Sequence, residues 1–168
     1  MGGGGVGVSR LVKLDLFADF FQVYIADGKF RTDTSDIWNN KASDRMLAIA
    51  ENLIAIGTAR NMTVPVSLEL LSGRPRPDFE VWEQVIEASF NVPSGEIVAL
   101  GCTDYLPDAK RLQVSPGSYR ALVSYRGLDS LSDDGLDGED EYRVQLWPDA
   151  KCDVRAMKRR PDTVLPRI

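Results

Sequence analysis

Hydrophobic and polar positions alternate along this chain in short runs with a period of two, the signature of half-buried strands. Residues 11–17 set Val12, Leu14 and Leu16 against Leu11, Lys13, Asp15 and Phe17. Residues 20–26 set Phe21, Val23 and Ile25 against Phe20, Gln22 and Tyr24. The pattern returns over 63–71 with Val64, Val66, Leu68 and Leu70, and over 86–92 with Ile86, Ala88, Phe90 and Val92. It returns again over 118–126 with Tyr119, Ala121, Val123 and Tyr125, and over 142–147. Residues 53–58 and 96–102 are apolar throughout and read as buried strands, and 112–114 is short and extended. Residues 44–50 fit either a helix start or a strand; with Glu51-Asn52 as a turn, the expectation is strand–turn–strand. Asp27-Gly28, Pro93-Ser94-Gly95, Pro116-Gly117 and the Gly73, Pro75, Pro77 cluster punctuate the runs. Pro65 has no N–H for a ladder, so 63–71 is expected at a sheet edge or with a bulge. Nine or ten short strands without helical crossovers predict an all-β fold, a single antiparallel β-sandwich with little helix.

The 168 residues fit one domain, and the composition divides it. Residues 1–10 form a glycine-rich start expected to be flexible, 11–148 the sandwich, and 149–168 a basic tail without apolar period, expected to dock weakly if at all. Residues 151–168 hold six basic and two acidic residues, which leaves −9 on the rest of a chain whose net charge is −5. An acidic body argues against direct nucleic-acid binding, which calls for a basic folded face. The start lacks the charged and apolar regions of a signal peptide, and no apolar run reaches membrane-spanning length, so a cytoplasmic protein is expected.

No histidine is present, which removes the commonest general base and metal ligand. Ser and Cys therefore lack that activator, no Ser-x-x-Lys occurs, and no catalytic set emerges. Cys102 and Cys152 are too few for a disulfide framework, and whether they pair is left open. The residues that stand out are Asp129, Asp133, Asp134, Asp137, Glu139, Asp140 and Glu141, seven carboxylates in thirteen positions with no basic residue among them. Calcium would want alternating ligands, but counting from Asp129 the third position is Leu131, so no metal site or cofactor is expected. Clustered carboxylates suit a surface that steers a basic protein partner, or simply a solvated loop. Trp38, in the polar stretch 29–40, is a candidate interface anchor.

The run Phe20-Phe21-Gln22-Val23-Tyr24, the loop at Trp38, Thr63-Val64-Pro65-Val66, Pro116-Gly117-Ser118-Tyr119 and Tyr142-x-Val144 resemble, in order, the competence protein J family. That resemblance spans roughly residues 11–148 and implies a small bacterial cytoplasmic protein, the founding type being an inhibitor of a DNA-entry nuclease. It has no evident counterpart for the acidic loop or the basic tail. The expectation is a non-enzymatic protein-binding module, of inhibitor or immunity type, that blocks a basic partner such as a nuclease or toxin through the acidic loop. The alternative is a β-sandwich that binds a sugar or calcium.

Overall fold

The computed structural model describes residues 8–160. Among them eleven strands form two sheets. The first sheet runs in the order β1 (Val8–Phe17), β5 (Thr63–Leu71), β10 (Glu141–Pro148), β9 (Gly117–Arg126), β6 (Gln84–Val92) and β11 (Arg155–Lys158). The second runs β3 (Leu47–Ala50), β4 (Leu53–Gly57), β2 (Gln22–Asp27), β7 (Glu96–Gly101) and β8 (Lys110–Gln113). The all-β expectation holds, with two corrections. There are eleven strands rather than nine or ten, and the sheets are not wholly antiparallel, because β10 runs parallel to β5 from Tyr142↔Val66 to Leu146↔Leu70.

The alternation in sequence becomes two faces. Leu16, Val64, Val66, Leu68, Ile86, Phe90, Val123, Tyr142 and Val144 of the first sheet share one buried cluster with Val23, Ile25, Leu47, Ile54, Ile56 and Ile97 of the second. The continuous apolar runs of β4 and β7 have a different cause. Their other face is also covered, since Tyr24, Ala48, Leu53, Ala55, Val98 and Leu100 pack under Phe30, Ile37, Trp38, Leu106 and Ala109. Strands buried on both faces lose the polar half of the alternation.

Four departures from the sequence reading have local reasons. Residues 20 and 21 are not strand: Asp19–Phe21 is a short 3₁₀ turn in which Phe20 and Phe21 take left-handed φ values of 55° and 60°. That turn carries the chain from β1 in one sheet to β2 in the other, held by Ala18 N–H on Met62 O at 2.9 Å. Residues 40–45 form a helix, α1 (Asn40–Arg45), because the Asn39 side chain accepts the Ala42 N–H at 2.9 Å and caps it; only Leu47–Ala50 is strand. Strand β5 is interior, between β1 and β10, despite Pro65. The β10 ladder begins only at Val66, so the proline lies beyond its first rung. The basic tail contributes β11, which pairs antiparallel with β6.

Of the glycine-rich start, residues 1–7 lie outside the described residues, and β1 already begins at Val8. Cys102 and Cys152 are both free and half-buried. No helix among the described residues is long and apolar enough to cross a membrane.

Candidate protein-interaction site

The acidic loop joins β9 to β10, and its neck is built from backbone geometry and burial. Gly127 sits at φ 70°, and a Cβ there would come within 2.3 Å of Glu139 O, so only glycine fits where the two limbs of the loop cross. The Glu83 carboxylate accepts the Gly127 N–H at 2.9 Å and the Leu128 N–H at 3.3 Å. Leu128 is buried in the core, and Leu131 packs partly against it. The loop therefore dips into the protein before turning out.

On the returning limb Asp140 is wholly buried. Its Oδ1 meets Arg60 Nε at 2.6 Å, and its Oδ2 accepts the Tyr142 hydroxyl at 2.6 Å. That hydroxyl in turn accepts the Ala59 N–H at 2.7 Å. Arg60 also donates to Leu136 O at 3.2 Å, so one guanidinium ties the end of the loop to its tip. Burial pushes the Tyr142 phenol well above its ordinary range, and the neighbouring Asp140 charge pushes the same way, so the hydroxyl stays neutral and donates. Glu141 is the first residue of β10 and pairs with Arg126 at 2.9 Å across the β9–β10 ladder. Asp129, exposed, meets Arg160 at 2.6 Å.

The outer part of the loop is ordered by two serines. Ser130 Oγ donates to Gly127 O at 2.5 Å and accepts the Glu139 N–H at 2.7 Å. Ser132 Oγ donates to Asp134 Oδ1 at 2.7 Å and accepts the Asp137 N–H at 3.0 Å. The same Asp134 oxygen accepts the Leu136 N–H at 3.0 Å, and these bonds, the serine's first, hold its carboxyl below the usual carboxylate range. What remains outward is Asp133, Asp137 and Glu139, all exposed and with no basic side chain against them among the described residues, together with Leu136, 49% exposed. An open groove of about 600 Å³ runs beside the neck, lined by Pro65, Arg126, Gly138, Glu139 and Glu141.

The seven carboxylates singled out from sequence thus fall into two groups. Asp140, Glu141, Asp129 and Asp134 have partners within the chain, Asp140 alone of them buried, and Asp133, Asp137 and Glu139 face solvent with no basic partner among the described residues. Trp38 does not join them. Its indole Nε1 donates to Gln22 Oε1 at 2.8 Å, and its ring packs half-buried in the cluster outside the second sheet. Sequence reasoning missed Arg60, Glu83 and Arg160, which lie 80, 44 and 31 positions from their partners and carry no local signal. Tyr142 was legible as a strand residue, but not as the hydroxyl that holds Asp140.

No protein-family model and no curated protein matches the sequence. Two solved structures share the fold. One is the crystal structure of ComJ from Bacillus subtilis, described as the inhibitor of the DNA degrading activity of NucA. It superposes with a TM-score of 0.60 at 16% identity, covering 86% of this chain and 98% of that one. The other is described as crocagin biosynthetic gene J, with a TM-score of 0.58 at 24% identity, covering 84% of this chain and 98% of that one. The resemblance to the competence protein J family therefore holds at the level of the fold.

Proposed function

We propose that this protein is an inhibitor-type binding module whose partner is a basic protein of nuclease kind, met by the tip of the acidic loop. The observation that carries the reading is the shared fold with ComJ, a protein described as inhibiting a DNA-degrading activity. The chemistry of the tip fits the same role. Asp133, Asp137 and Glu139 stand outward on a loop whose shape Ser130 and Ser132 already fix. A preformed loop loses little conformational freedom on binding. A nuclease cleft is basic because it must hold phosphates, so carboxylates with no basic partner among the described residues are attracted to the same field. Leu136, exposed beside them, supplies an apolar contact for the centre of such an interface. Asp140 acts indirectly, by holding the loop's returning limb, and Trp38 stays outside the proposed surface.

The test is inhibition of DNA degradation by NucA, and by basic nucleases captured on the immobilised protein. Stoichiometric inhibition is expected, with an association rate that falls steeply as salt rises, since exposed charges are screened over about 8 Å at physiological ionic strength. Changing Asp133 and Asp137 to Asn and Glu139 to Gln together should slow association at low salt by about tenfold or more. The melting midpoint should move by less than about 2 °C, because the three side chains lie outside the core. No inhibition of any of these nucleases would overturn the function. Inhibition with equal rates for both proteins would keep the function and remove the loop tip from it.

A further inference from the structure

Each sheet has two edges, and they differ sharply. Strands β11, β3 and β8 offer four residues each, whereas β1 offers ten, paired with β5 on one side and unpaired on the other among the described residues. A long free edge is a template for another strand, and folded proteins usually blunt it with short length, bulges or charges. Here the one register shift lies at the start of the strand, between Val8 and Arg10, and residues 10–17 pair with β5 without interruption. The edge is also apolar. Leu11 is 53% and Phe17 41% exposed on the outer face, and Val12 and Leu14 are only partly buried at the rim of the core. Arg10 reaches back to donate to Gln113 O, which leaves Lys13 and Asp15 as the blunting charges; both are exposed, and neither has an ion-pair partner among the described residues.

We propose that two copies of this chain associate through the free edge of β1, pairing antiparallel about Leu14 and joining two six-stranded sheets into one of twelve strands. The sequence of the edge selects this partner and this register. With Leu14 opposite Leu14 of the second copy, Lys13 faces Asp15 and Asp15 faces Lys13, so each blunting charge is neutralised. Leu11 then faces Phe17 on the same outer surface, and Val12 faces Leu16 on the core side. Opposite charges and apolar pairs directly across an antiparallel ladder are stabilising, and like charges there are destabilising. Moving the register by one step of the pleat sets Lys13 against Lys13 or Asp15 against Asp15, which excludes those alternatives. The contact is isologous and closes on itself, giving a dimer rather than a filament. A single strand edge is smaller than a standard interface of about 1,600 Å², so a dissociation constant in the micromolar range is expected.

Sedimentation velocity of the full chain over a concentration series tests this. The mass should rise from 18.6 kDa toward twice that value as concentration increases. Lys13→Glu places a carboxylate against Asp15 at two positions of the dimer and should raise the dissociation constant about tenfold or more. Asp15→Lys should do the same with two amines. The double variant, Lys13→Glu with Asp15→Lys, restores opposite charges and should return the constant to within about threefold of the original. Circular dichroism of all three should match the parent, because both residues are exposed and have no ion-pair partner among the described residues. A protein that stays monomeric up to about 200 µM overturns the proposal, since a micromolar contact would be mostly formed there. So does a dimer equally stable in the parent, the single variants and the double variant, which would place the contact on another face.

Discussion

The two ends of the acidic loop share a composition and have opposite environments. At the base, Asp140 is wholly buried between Arg60 and the Tyr142 hydroxyl, and Arg60 is itself only 11% exposed. At the tip, Asp133, Asp137 and Glu139 stand in solvent without a partner among the described residues. The difference teaches that a run of carboxylates is not one chemical unit. A buried carboxylate must be paired and hydrogen-bonded to exist as a charge, so Asp140 belongs to the stability of the fold. An exposed one costs little to keep and is free to meet another molecule.

The sharpest way to break this contrast is to exchange the roles. Asp140→Ala leaves Arg60 nearly buried without its counter-charge and the Tyr142 hydroxyl without its acceptor. Removing one partner of a buried pair costs about 3–5 kcal/mol, and urea denaturation should show a loss of that size. Tyr142→Phe keeps the charge pair and removes only the hydroxyl bridge, so its loss should be smaller, about 1–3 kcal/mol. A loss for Asp140→Ala no larger than for the three tip carboxylates would erase the distinction between base and tip.

A second contrast concerns what holds Asp129. Its partner is Arg160, which follows β11; β11 pairs with β6, and the segment around it is tied to the first sheet. Cys152 N–H donates to Ser89 Oγ at 3.0 Å, Arg120 Nε donates to Ala150 O at 2.8 Å, and Met157 packs against Trp82, Val85 and Trp147. Truncation after Ala150 removes these contacts apart from the one to Ala150 itself. The melting midpoint should fall by about 5 °C or more, roughly 1 kcal/mol or somewhat above for a domain of this size. Melting curves that overlay would return the tail to a loosely attached segment.

The smallest effect sharpens the contrast within the tip. Asp134 is exposed, yet Ser132 Oγ and the Leu136 N–H hold its carboxyl below the usual range. A group whose folded pKa is depressed contributes stability above its unfolded pKa, and that contribution is lost as pH falls through the folded value. Carboxyl carbon NMR should find Asp134 titrating below the ordinary range, and Ser132→Ala should move it back up. An unchanged titration in Ser132→Ala would mean that the serine does not shape the tip.

Much of the fold was written in the alternation itself. The strand of residues 63–71 appears with the boundaries its pattern gives, and those of 118–126, 142–147 and 96–102 shift by only a residue at either end. Where the pattern misled, a tertiary demand had overridden it. Phe20 and Phe21 carry a strand-like sequence but take left-handed turns, because the chain must leave one sheet for the other there. Residues 155–158 show no apolar period, because a short strand at the edge of a sheet buries little of its own; its pairing with β6 supplies the order.

The sequence alone determined what depends on nearest neighbours along the chain: the period of two, the turns, the net charge of −5 and the position of the acidic loop. These are local because a strand's faces repeat every second residue and a loop's charge is the sum of its own side chains. Tertiary structure alone decided which charges are structural. Asp140 and Asp137 are three positions apart and identical in type, yet one is wholly buried against Arg60 and the other stands in solvent. The deciding residue lies 80 positions away, brought there by the meeting of the two sheets, and no local pattern encodes that meeting.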